Sequence, residues 1–177
     1  MSRRTALTLL ELLITLVVLA ALAGIVVPLL SGTTDMAQTR VTNANLVMVR
    51  DAILNRYRPD MLGRLPRPGQ PGLDAGRPDR PQMRYLFVNP ATEEATETYD
   101  PLARKGWNGP YLARNFGTYT ADPTNFTTDY GQTGDPCVTD GWGRPIVIRE
   151  ETPNVVLRSA GPDGMLGTDD DLTLVLE

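Results

Sequence analysis

The chain contains no histidine and a single cysteine, Cys137. Without histidine there is no imidazole to ligate a metal, and no triad in which histidine serves as base. A lone thiol forms no internal disulfide, so no disulfide framework holds the domain together. We read Cys137 as a small half-buried residue. An excess of basic residues is also missing, since the formal net charge is −4. That argues against an electrostatic nucleic-acid footprint, and no nucleic-acid partner is expected. No pair of acids stands out from the surface carboxylates, and no nucleophile has a base, so no enzyme is expected. The 177 residues suffice for one membrane segment and one modest domain, and are too few for two ordinary domains.

What the chain does have is a long apolar run, LTLLELLITLVVLAALAGIVVPLL, from Leu7 to Leu30. Glu11 is its only charge. As a helix the run is about 36 Å long, enough to cross a hydrocarbon core of about 30 Å. Arg3 and Arg4 precede it and hold the N-terminus in the cytoplasm by the positive-inside rule. The remainder then lies in a periplasmic or extracellular space. Two soluble-export readings compete. Ala21-Leu22-Ala23 is a small-x-small cleavage pattern, and Ser2-Arg3-Arg4 is like the start of a twin-arginine signal. Glu11 and the continuing run through Ile25-Val26-Val27 argue against both. A carboxylate in a membrane helix costs about 2.5–3.5 kcal/mol on insertion scales, so something is expected to offset it.

Past Ser31-Gly32 the pattern changes. Met36, Val41, Ala44, Val47, Met48, Ala52 and Leu54 recur near spacings of three and four, with polar residues between them. Residues 31–57 are therefore expected to continue the helix as an amphipathic stretch, with Pro28 and Gly32 loosening the joint. Residues 58–105 read as a Pro/Gly-rich loop region. Arg58, Arg64, Arg67, Arg77 and Arg80 make its first part locally basic, and a solvated linker is the expected role.

Residues 106–177 read as a β domain. The stretches 145–149, 154–158 and 172–176 are short and apolar, as strands are, and Glu150–Pro153 is a hairpin turn between the first two. Between the second and third strands lies Ser159 to Asp171, SAGPDGMLGTDDD, with four aspartates in nine residues. Oxygen-rich side chains on a tightly turning backbone suit a hard cation. The spacing is not that of an EF-hand. A solvated acidic turn explains the same residues equally well.

The N-terminus resembles type IV pilins and the pseudopilins of type II secretion. The basic leader MSRRTA is followed by Leu7-Thr8-Leu9-Leu10-Glu11, and Pro28 follows where the family commonly has a softening proline. The family usually has glycine where this chain has Ala6. The middle of the chain narrows the likeness. Gly106-Trp107-Asn108-Gly109-Pro110-Tyr111-Leu112 resembles the W-x-G-P-Y segment of the major pseudopilin of type II secretion. Asp140-Gly141-Trp142-Gly143-Arg144-Pro145 resembles that family's D-P-W-G-x-P turn, with Gly141 for the first proline.

The resemblance implies an α+β fold in which a long N-terminal helix packs its second half on a small antiparallel sheet. It implies that a prepilin peptidase removes residues 1–6, between Ala6 and Leu7, and methylates the new amine of Leu7. Glu11 then pairs with the terminal amine of a neighbouring subunit, which offsets its desolvation only on assembly. The implied function is structural: self-association into a filament, with other pseudopilins or pilins and an inner-membrane assembly platform as partners. The acidic loop is similar to a loop that holds calcium in major pseudopilins. Asp163 is the best matched position, with Asp169, Asp170 and Asp171 beside it. Two other readings stand alongside. One is a type IV pilin or minor pilin of a surface fibre. The other is a membrane-tethered calcium-binding or substrate-binding domain that never polymerises, in which Glu11 has no role.

Overall fold

The computed structural model describes residues 9–67, 77–89, 99–113 and 117–176, and over 25–33 it describes the backbone alone. The leader, with Ala6, and Leu7 lie outside the described residues. The chain divides into two compact units, Met1–Ala37 and Gln38–Glu177. Helix α1, Leu9–Ala52, contributes to both.

In the first unit the described side chains from Leu9 to Gly24 are exposed. They are overwhelmingly apolar, and Glu11 stands exposed among them. Among the described residues no helix is long and apolar enough to cross a membrane. Of the span expected over 7–30, residues 7 and 8 lie outside the described residues. So do the side chains of 25–30, Pro28 included.

The second unit is α+β, a helix packed on small antiparallel sheets. Its helical part buries Thr42, Leu46, Val49, Ala52 and Ile53, a stripe at three- and four-residue spacing. Of the stripe expected from hydropathy, Ala52 is buried and Met48 and Leu54 pack against the core, but other members face outward. Val41 and Val47 are 51% and 46% exposed, and Ala44 is exposed as well. The helix is turned so that Thr42 and Asn45 reach the sheet side. Thr42 accepts a hydrogen bond from Gly141 N at 2.9 Å, and Asn45 Nδ2 donates to Thr139 O at 2.8 Å. Two backbone groups that would otherwise go unpaired decide the rotation, because a buried unpaired donor or acceptor costs about 1–3 kcal/mol. After Ala52 a π-helical turn, Ile53–Tyr57, and a short helix α2, Arg58–Asp60, end the helical run at Pro59 and beyond.

Strands β3 (Val147–Glu151), β4 (Asn154–Ser159) and β5 (Leu172–Val175) form an antiparallel meander. Val147 pairs with Arg158, and Val156 pairs with Val175. Val155, Val156 and Leu157 are buried in succession, so β4 is covered on both faces. Strands β1 (Gly117–Thr118) and β2 (Pro136–Cys137) make a separate two-stranded ladder.

The 58–105 region is not simply loop. A 3₁₀ turn, Met83–Leu86, sends Met83, Tyr85 and Leu86 into the core, and Met61 joins them. Nor are its arginines free in solvent. Arg77, only 6% exposed, donates to both oxygens of buried Asp135 at 2.5 and 2.7 Å, and Arg84 adds a contact at 3.1 Å. Arg67 and Arg80 pair with Glu150. The segment is held by ion pairs as well as by these apolar contacts.

Candidate functional site: the acidic loop and the turns that hold it

Residues 106–111 are a packing device. Trp107 Nε1 donates to Tyr85 O at 3.3 Å, and Tyr111 meets the rings of Tyr57 and Trp107 edge-on at 5.1 and 5.9 Å. A Cβ on Gly109 would lie 2.6 Å from the Trp107 ring, so only glycine fits. Burial pushes the Tyr111 hydroxyl up to about 12.

The Asp140–Pro145 turn is tighter. Asp140 Oδ1 accepts from Trp142 N and Arg144 N, each at 2.9 Å. Asp140 N donates to Arg144 O at 2.7 Å. The turn also lies against helix α1: a Cβ on Gly141 would sit 2.2 Å from Gln38 O. The glycine that stands in place of the family's proline is therefore demanded by that approach. The other oxygen of Asp140 accepts from Ser159 Oγ at 2.7 Å, which ties the turn to the first residue of the acidic loop.

The loop itself is folded by its own carboxylates. Asp163 Oδ1 accepts from Met165 N at 2.8 Å, and Asp170 Oδ2 accepts from Asp163 N at 3.0 Å. The Thr168 hydroxyl lies 2.7 Å from Asp170 Oδ1. These bonds, led by the one from Thr168, hold the Asp170 carboxyl below its ordinary range. Asp171 Oδ2 accepts from Gly167 N at 2.7 Å and from Arg158 at 2.6 Å. Arg158 also reaches Glu151 at 2.6 Å. Burial opposes the Arg158 charge, but its bonds to these two carboxylates more than offset that and raise its pKa. Asn125 clamps the loop from outside, donating to Gly164 O at 2.7 Å and accepting from Leu166 N at 2.8 Å. Asp169 is exposed.

The four aspartates do not form one ligand sphere. Among the described residues no three acid, cysteine or histidine side chains converge as a metal group would. One atom is nevertheless suited to a cation. Asp171 is 3% exposed, and its Oδ1 is buried with no hydrogen-bond partner. A buried, unpaired carboxylate oxygen calls for a donor or a metal.

Sequence reasoning picked out the aspartates but missed the residues that organise them. Arg144, Arg158, Asn125 and Asp140 act across separations of 13 to 41 residues, and no local pattern marks such pairs. The Asp135–Arg77 pair was likewise invisible.

No family model matches the chain, and no solved structure matches it. The chain is 28% identical over 170 residues to the type II secretion system core protein G of Escherichia coli (strain K12), covering 94% of this chain and 87% of that protein. The chain is a pseudopilin-like protein, similar to a core component of the type II secretion system.

Proposed function

We propose that the chain is a structural subunit of a periplasmic filament, a pseudopilus, that serves type II protein secretion. In this reading residues 7–30 anchor it in the bacterial inner membrane, and the 38–177 unit is its periplasmic head. A prepilin peptidase cuts between Ala6 and Leu7 and methylates Leu7. The protein is not an enzyme in this reading. Its partners are copies of itself, other pseudopilins and the inner-membrane platform on which the filament assembles.

The observation that carries the proposal is the exposed apolar face of α1. Leu9, Leu10, Leu16 and Leu19 are 63–83% exposed, and the series extends to Leu22. A contiguous surface of that kind needs lipid or protein to cover it. Glu11 in its midst is a charge for which a simple tether has no use. Val41 and Val47, exposed on the helix of the head, offer further apolar contact between subunits.

The experiment is Glu11→Ala in the full chain. We expect the variant to enter the membrane, keep a folded head, and lose filament formation and secretion. A Glu11→Ala protein that still forms filaments would sink the assembly role and favour the tether.

Calcium belongs to the same proposal as a structural ion. Asp171 Oδ1 supports it, and Asp163, Asp169 and Asp170 are the other acids at hand, with backbone carbonyls supplying further oxygens. When bound, the ion would fix the loop between β4 and β5 without taking part in any reaction.

A further inference from the structure

Two carbonyls of the acidic loop already face a cation, and the cation is a side chain. Arg144 Nη1 donates to Gly161 O at 2.5 Å and to Pro162 O at 3.2 Å, and Nη2 reaches Pro162 O at 3.3 Å. The guanidinium lies flat against the loop. A Cβ built on Gly164 would fall 2.4 to 2.8 Å from its Cζ, Nε and Nη1 atoms. Both ends of this contact are anchored. The Arg144 backbone is held by Asp140, and the loop's first residue, Ser159, donates to the same carboxylate. Ser159 Oγ in turn lies 3.3 Å from Gly161 N.

We infer that Arg144 is the resident cation of the acidic loop: its guanidinium gathers the Gly161 and Pro162 carbonyls and keeps the loop folded whether or not a metal ion is present. A planar fork of donors is suited to this, since one side chain satisfies two carbonyls in a fixed geometry. The charge is placed where it is wanted. Asp163, Asp169, Asp170 and Asp171 repel one another, and Asp171 is paired with Arg158. A metal ion at Asp171 would share the loop with this guanidinium rather than replace it. The inference does not depend on the calcium reading.

The test uses the full chain in detergent micelles, with chelator or with excess calcium chloride. Arg144→Met keeps the apolar stem and removes the donors. In chelator we expect its melting temperature to fall by about 5 °C. Amide exchange at Asp163, Gly164 and Met165 should quicken by roughly tenfold or more, while β3 and β4 stay protected. Arg144→Lys should recover part of the protection. Unchanged melting and unchanged loop protection in Arg144→Met would overturn the inference. So would a lower melting temperature with the loop still protected, since Arg144 would then support only the Asp140 turn. If Arg144→Met does not fold, Arg144→Gln is read by the same two measurements. Calcium separates the two readings. No calcium-induced rise in any form, with the Arg144→Met loss intact, removes the metal and leaves Arg144. A rise in the wild type with loop exchange unchanged in Arg144→Met removes Arg144 and leaves the metal.

Discussion

Asp135 sits at 5% exposure with two arginines on it, and its protonation is a stability term. Burial favours the neutral acid, but the hydrogen bonds from Arg77 and Gln132 and the Arg77 charge outweigh it, and the net shift is downward. A carboxyl whose pKa is lower folded than unfolded stabilises the fold above its unfolded value, about 4, and loses that contribution as pH falls through the folded one. Asp122 behaves alike. Backbone N–H groups of Phe126, Asn125 and Thr124 point at it and hold it at about 2. Asp135→Asn keeps the shape and removes the charge that Arg77 and Arg84 share. Denaturant unfolding at pH 7 should show a loss of about 3 kcal/mol, as when one partner of a buried pair is removed. At pH values below the Asp135 folded range the variant and the wild type should converge, since the wild-type carboxyl is then neutral too. A gap that persists undiminished in acid would mean that packing, and not charge, explains the loss.

At the scale of elements, the helix of the head is the sharpest case. Hydropathy alone favours Val41 and Val47 as core residues, whereas Leu46 and Val49 are the ones at 2% and 0% exposure. The expected stripe and the buried one share Ala52 but diverge towards the start of the head's helix, where Thr42 and Asn45 meet Gly141 and Thr139. Leu46→Ala should therefore cost about 3 kcal/mol, as for a buried leucine, and Val47→Ala no more than about 0.5 kcal/mol. Equal losses in thermal or denaturant unfolding would mean that the helix is rotated from its described phase. The same comparison explains what was legible. Strands β3, β4 and β5 could be read in advance because their apolar stretches are short and bounded by turn residues, and they begin and end within two residues of expectation. The acidic loop was legible as a cluster of acids. The phase of the helix and the docking of residues 77–86 were not, because they rest in part on hydrogen bonds and ion pairs between residues 51 to 99 positions apart. Such partners leave no period in the chain.

For the molecule as a whole, the question is what keeps a head whose lone cysteine forms no internal disulfide folded. The core runs from Leu46 and Ile53 through Tyr85 and Tyr111 to Leu157 and Leu176, so the last strand's end is packed. The loop that leads into β5 is apolar only in part, and polar bonds hold it. Arg144 binds two of its carbonyls and Arg158 pairs with Asp171, whose Oδ1 is left buried and unpaired. An ion that binds the folded head and not the unfolded chain adds stability in proportion to the logarithm of its concentration over its dissociation constant, about 2.7 kcal/mol at a hundredfold excess. Calcium added to the chelated full chain should accordingly raise the melting temperature. Asp171→Asn should abolish that rise by removing the ligating charge. The substitution also weakens the bond to Arg158, so its melting temperature without calcium will be lower as well. The informative quantity is the difference between the calcium and chelator scans of each protein, because the Arg158 loss is common to both scans and cancels. A calcium-dependent rise that survives in Asp171→Asn would place the ion elsewhere. No rise in the wild type would leave the two arginines as the loop's only counter-charges.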